Sequence, residues 1–186
     1  GVYGWTGASP FALRSNSHTE LARYIMADIE LQGPSPVFSS GELWRFHGTH
    51  WHKVEDHEQR QLVQSLDGVK FGARGILRAN KSLIDGVLSE LHAMCAVPDF
   101  FEDAPIGLNC QSGFIRLDPK KEPELVPHAP ELKQRFCIAA TWGPNTKVAL
   151  APLTERYFSG ICGDGDSAVE TRKLLEEIFG AAWACL

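Results

Sequence analysis

The 186-residue chain lacks most of the signals that assign a protein quickly, and each absence removes a class. No apolar run approaches the roughly 18 residues that a membrane-spanning helix needs. The opening Gly1-Val2-Tyr3-Gly4 lacks the charged-then-apolar order of a secretory signal. Neither G-x-x-x-x-G-K-[ST] nor G-x-G-x-x-G occurs, so there is no phosphate-cradling turn for ATP or a dinucleotide. Without a G-x-S-x-G elbow, acyl transfer has no evident nucleophile. Asp164 and Asp166 are not followed by the oxygen donors and closing glutamate of a calcium loop, and read as turn and cap residues. Cys95, Cys110, Cys137, Cys162 and Cys185 are odd in number and form no C-x-x-C pair, which fits a reducing, cytoplasmic setting better than a disulfide framework or a zinc knuckle.

What is present describes a folding chain of one-domain size. Hydrophobic residues make up 44% and charged residues 22%, with five Trp and ten Phe, enough for a sizeable core. The net charge of −5 argues against a strongly cationic nucleic-acid sleeve while allowing a local basic patch. Residues 1–100 carry 9 basic and 11 acidic side chains and residues 101–186 carry 9 and 12, so neither end is a charged tail.

Along the chain, residues 1–16 are rich in Gly, Ser, Pro and Asn and read as a linker. Ser17-His18-Thr19-Glu20 is a capping box, and Leu21, Tyr24, Ile25 and Ile29 continue a helical stripe to Gly33-Pro34. Alternation follows: Leu43-Trp44-Arg45-Phe46-His47 and His50-Trp51-His52-Lys53-Val54 flank Gly48-Thr49. They predict a hairpin that pairs Phe46 with Trp51 and Trp44 with Lys53, with its aromatic face buried against helices. Asp56 is placed to cap a short helix ending at Asp67-Gly68. Ile84, Val87, Leu88, Leu91, Met94 and Cys95 predict a longer one, stopped by Pro98. Residues 106–109 and 113–117 predict a second hairpin, 124–126 and 136–140 further short strands, and 152–161 and 167–179 two closing helices. The fold class expected is α+β: one mainly helical domain over 17–186, with five or six helices and small antiparallel β-hairpins.

Two groups of side chains could carry chemistry. His47, His50 and His52 fall on one face of the first hairpin, spaced for a zinc or copper ion, although Arg45 shares that face and opposes a cation. A metal-dependent hydrolase and a plain solvated face both fit. Lys70, Arg74, Arg78 and Lys81 recur every three or four residues; on a helix they would form a cationic stripe suited to phosphates, or an ordinary solvated face. Gly72 and Gly75 count against the helix.

Three stretches carry a resemblance. Leu43 to Asp56 contains an aromatic-Gly-x-x-Trp turn after an aromatic strand. Asp99 to Pro130 holds an aromatic-acidic-x-Pro lead, a Gly-centred turn, an apolar strand ending in Asp118, and Leu-x-Pro-His-x-Pro at Leu125 to Pro130. Pro152 to Gly180 reads as a short helix, an acidic turn and an amphipathic helix. In this order they resemble the domain that precedes the superfamily 3 helicase motor in phage, plasmid and poxvirus primase-helicases, over roughly residues 40–186. One departure is visible: Ser112 stands before Gly113 where that family usually has Asn, with Asn109 displaced upstream.

The resemblance implies a fragment of a larger, oligomeric replication protein. A primase region would precede it, and a ring-forming motor that uses ATP and magnesium would follow. The chain itself would be a non-catalytic adaptor without a cofactor of its own, linking its two neighbours and touching DNA or adjacent subunits in the host cytoplasm. A purely structural oligomerisation piece is the remaining expectation.

Overall fold

The computed structural model describes residues 12–118 and 120–142, with helical positions 169–171, 173–175 and 177. The chain is α+β: among the described residues, three α-helices over 18–94, a 3-10 turn and the helical positions at 169–177 accompany three small antiparallel sheets. The chain groups into two compact units, residues 1–104 with 129–136, and residues 105–128 with 137–186. The helix and acidic turn expected over 152–166 lie outside the described residues.

In the first unit, α1 (His18–Glu30) starts where the Ser17 hydroxyl accepts the Glu20 amide at 3.3 Å. Only this half of the box forms. The Glu20 carboxylate reaches past Ser17 and accepts from the Ser15 hydroxyl and the amides of Arg14 and Ser15, and these bonds hold its pKa below the usual carboxylate range. The end of the expected linker is thereby tied down, and Leu13 is buried in the core. Residues 1–11 lie outside the described residues.

α2 (Asp56–Gln64) is capped by Glu55 in place of Asp56, the Glu58 carboxylate accepting the Glu55 amide at 3.0 Å. α3 (Lys81–Met94) is capped by Asn80, whose side chain accepts the Leu83 amide at 2.9 Å. Its buried stripe, Ile84, Val87, Leu91 and Cys95, meets Leu21, Ile25 and Ile29 of α1 in one apolar cluster, as the three- and four-residue spacing predicts.

β1 (Val37–Ser39), β2 (Glu42–Phe46) and β3 (Trp51–Lys53) form an antiparallel sheet in that order. Ser40 and Gly41, at φ of 54° and 78°, give the β1–β2 turn the double positive φ that suits a two-residue connection. The β2–β3 register is the expected one, Phe46 opposite Trp51 and Trp44 opposite Lys53. Leu43 and Arg45 face the helices. The aromatic face turns the other way, because α1 and α3 already cover the Leu43 side.

That aromatic face is covered by a loop and a strap, contrary to the expected packing on helices. Phe101 lies 4.9 Å from Trp44 and Phe100 5.0 Å from Trp51, both edge-on. The strap, residues 129–136, contains the 3-10 turn Pro130–Leu132. The Trp51 indole donates to the Pro130 carbonyl at 2.9 Å, and the Trp51 amide donates to the Gln134 carbonyl at 2.7 Å. Phe38 donates to the Cys95 carbonyl on the β1 side, so both edges of the sheet are closed.

In the second unit, β6 (Gly107–Cys110), β7 (Gly113–Arg116) and β8 (Glu124–Val126) make an antiparallel sheet around buried Phe114 and Ile115. Gly113 takes φ of 144° itself, leaving Ser112 without positive φ, so the departure from Asn at this turn costs no strain. A Cβ at Gly113 would sit 2.5 Å from the Val126 carbonyl oxygen, which is why the turn ends in glycine. The His128 ring donates to the Cys110 carbonyl at 2.8 Å, giving the His of the Leu-x-Pro-His-x-Pro stretch a structural role. The strand expected at 136–140 shrinks to a single bridge at Ile138, because the Ala140 amide folds back on the Ile138 carbonyl in a three-residue turn.

Arg45, only 6% exposed, lies against α1 with Asp28, itself 2% exposed. Burial pushes the guanidinium below its ordinary pKa and the Asp28 charge opposes that shift. Gln32 links the two, donating to the Asp28 carboxylate at 3.0 Å and accepting from Arg45 at 3.5 Å. Arg45→Met alone strands the Asp28 charge and is expected to cost about 3–5 kcal/mol in urea unfolding, most of it recovered in the Arg45→Met/Asp28→Leu double variant.

Candidate nucleic-acid interface

Between α2 and α3 the chain makes a hairpin. β4 (Lys70–Phe71) pairs with β5 (Gly75–Ile76), Lys70 opposite Ile76 and Phe71 opposite Gly75. The helix that would align Lys70, Arg74, Arg78 and Lys81 is therefore not formed. Gly72 adopts φ of 55°, and Gly75 lets the Phe71 ring lie where a Cβ would sit 2.5 Å from ring carbons, so the two glycines favour a tight hairpin over a helix. Sequence spacing alone misled here, because period-four cations look alike on a helix and around a turn.

The hairpin still brings cations together. Lys70 and Arg74 line one surface cavity of about 280 Å³ with Gly72, Ala73, Gly75 and Ile76. Arg78 follows β5, its side chain 77% exposed and only 4.0 Å from Asp67 in a loose ion pair. Lys81 opens α3, whose first turn holds no acidic residue, whereas α1 and α2 place Glu20, Asp56 and Glu58 there. From Gly68 to Ile84 the chain carries four basic residues and no acidic one, against a net charge of −5 for the whole. This stretch is a local reversal of sign in a net-acidic chain.

The base of the hairpin is fixed. Leu77, 2% exposed, and the half-buried Phe71 pack on the α1–α3 core. The Gly72 amide donates to the Leu13 carbonyl at 2.9 Å, and the Leu77 amide to Val69 at 2.8 Å. The anchoring Leu13 belongs to a segment that composition alone reads as a linker.

His47, His50 and His52 do gather at the tip of the β2–β3 hairpin, with ring centroids 6.4 Å apart for His47–His52 and for His50–His52. The His50 Nδ1 shares a 2.9 Å hydrogen bond with the Thr49 hydroxyl. Among the described residues no three His, Cys, Asp or Glu side chains are arranged to hold a metal ion. Arg45 is the cross-strand partner of His52 and shares its face, as expected, with its own side chain buried. No helix among the described residues is long and apolar enough to cross a membrane.

No family model matches the chain and no curated protein is similar to it. The likeness to the primase-helicase domain thus rests on the residues quoted above.

One arrangement was invisible in the sequence. A cleft of about 350 Å³ between α2 and α3 is lined by Asp56, Gln59, Arg60, Asp85, Leu88, Ser89 and His92, and Arg60 bridges to Asp85 at 2.7 Å. The Gln59 amide nitrogen donates to the Val54 carbonyl at 2.8 Å, which turns its oxygen to accept from His92 Nε2 at 2.7 Å. His92 also stacks on Phe38, with centroids 4.3 Å apart. Burial lowers the His92 pKa, with Asp56 opposing. Above the ordinary histidine value of about 6.5 both folded and unfolded chains hold the ring neutral. As pH falls below it, the unfolded chain gains a proton that the folded one refuses. Stability should therefore drop from about pH 6.5 downward and level off below the folded-state value. Urea midpoints measured across this range check it, and His92→Gln should remove that part of the slope.

Proposed function

We propose that this chain is a non-catalytic adaptor of a phage or prophage DNA primase-helicase, and that it holds DNA phosphates on the β4–β5 hairpin. One observation carries the nucleic-acid part: Lys70 and Arg74 border a single cavity inside a stretch with four cations and no acidic residue. Arg78 and Lys81 extend the same charge along the hairpin and onto the start of α3. The likeness of the hairpin turn at 43–56 and of the 99–130 stretch to the primase-helicase domain supports the placement beside a motor.

In this reading the neighbouring primase and helicase domains and other copies of the chain are its partners, in the host cytoplasm. ATP and magnesium belong to the motor. Linkage to neighbouring domains raises local concentration to about the millimolar range, so modest phosphate affinity suffices.

Fluorescence anisotropy with single-stranded and forked oligonucleotides, from about 50 to 200 mM salt, tests the reading. Lys70→Glu/Arg74→Glu should weaken binding about tenfold or more, at least 1.4 kcal/mol. The slope of log K against log salt on single strands should flatten by about 1.4, the equivalent of two phosphate contacts. Binding that is the same in the double variant would remove the hairpin from the interface. Zinc that copurifies and is lost in His50→Ala would favour the hydrolase instead, and oligomers without DNA affinity would favour a structural piece.

A further inference from the structure

Ile76 is 51% exposed on the hairpin that carries Lys70 and Arg74. Its cross-strand partner is Lys70. Arg74 and Arg78 stand two residues before and after it, and Lys70, Arg74 and Ile76 border the same cavity. A strand alternates its side chains, so Phe71 and Leu77 take the inward positions and Ile76 is left pointing outward. It cannot turn inward, because Leu77 already fills the core beneath it and the Gly72 and Leu77 amides pin the hairpin. A lone exposed isoleucine is ordinary on a protein surface. An isoleucine held out from a fixed hairpin, opposite Lys70 and bordering one cavity with Lys70 and Arg74, is a surface with two demands, anionic groups around an apolar contact.

Nucleic acid meets both demands, phosphates on the outside and base faces within. We infer that Ile76 is an apolar wedge that packs against unstacked bases at a junction of single-stranded and duplex DNA, while Lys70, Arg74 and Arg78 hold the flanking phosphates. The inference rests on the reading that this face binds DNA, and adds which DNA it selects. Inserting an apolar side chain between stacked pairs is unfavourable, and least so where bases are already unpaired. A junction is therefore favoured over a continuous duplex of the same charge.

The test compares three oligonucleotides of equal phosphate count, a single strand, a blunt duplex and a fork carrying 2-aminopurine at the junction. The wild-type chain should bind the fork about tenfold more tightly than the duplex, and should change the 2-aminopurine fluorescence as that base leaves its stack. Ile76→Ser should abolish both effects and keep the salt slope, whereas Ile76→Met should retain them. Because the side chain is exposed, both variants should unfold at the wild-type urea midpoint. If Ile76→Ser keeps the fork preference while Lys70→Glu/Arg74→Glu weakens all three DNAs, the wedge is overturned and phosphate binding stands. If the wild-type chain binds none of the DNAs, the DNA reading itself fails. Ile76-dependent binding to phosphatidylserine vesicles in that case would assign the face to a membrane surface.

Discussion

The contact on which the rest depends is the apolar seam between α1 and α3. Leu21, Ile25 and Ile29 meet Ile84, Val87 and Leu91, and all are nearly or fully removed from water. Each such side chain contributes about 1.5–3 kcal/mol on burial, so the seam outweighs any single polar contact in the unit. Leu43 of β2 and Leu77 below the β4–β5 hairpin join the same cluster. Through these two residues the seam fixes both the sheet and the cationic hairpin. The candidate interface is thus placed by hydrophobic burial and charged by what the turn leaves outside.

Polar groups add specificity at defined points in this core. Arg45 and Asp28 are both buried and are linked through Gln32, and Gln59 orients His92 from α2. Buried pairs of this kind are costly to break and gain little over apolar packing. Their effect is to define how β2 sits on α1 and how α3 sits beside α2. The exposed pairs, such as Lys53 with Glu42 at 2.9 Å, contribute far less because solvent screens them.

How much of this the sequence reveals depends on the range of the physics involved. The α1 and α3 stripes and the β2–β3 register are local patterns, and both were legible from Leu21 to Ile29, Ile84 to Cys95 and Gly48-Thr49. The β1 strand was signalled only by Ser40-Gly41, a turn dipeptide with a short apolar run before it. The cations of the candidate interface were legible as residues and not as geometry, since Gly72 and Gly75 made a hairpin of what the spacing could make a helix. The aromatic cover by Phe100 and Phe101, the anchoring of Gly72 by Leu13 and the His92–Gln59 pair all join residues far apart in the chain. Nothing local announces such contacts.

The strap over Trp51 gives the chain an unusual connectivity. Because residues 129–136 belong to the first unit while the segments on both sides belong to the second, the backbone passes between the units three times. Severing the peptide chain near residue 104 would leave the strap still clamped by Trp51 through the Pro130 and Gln134 carbonyls.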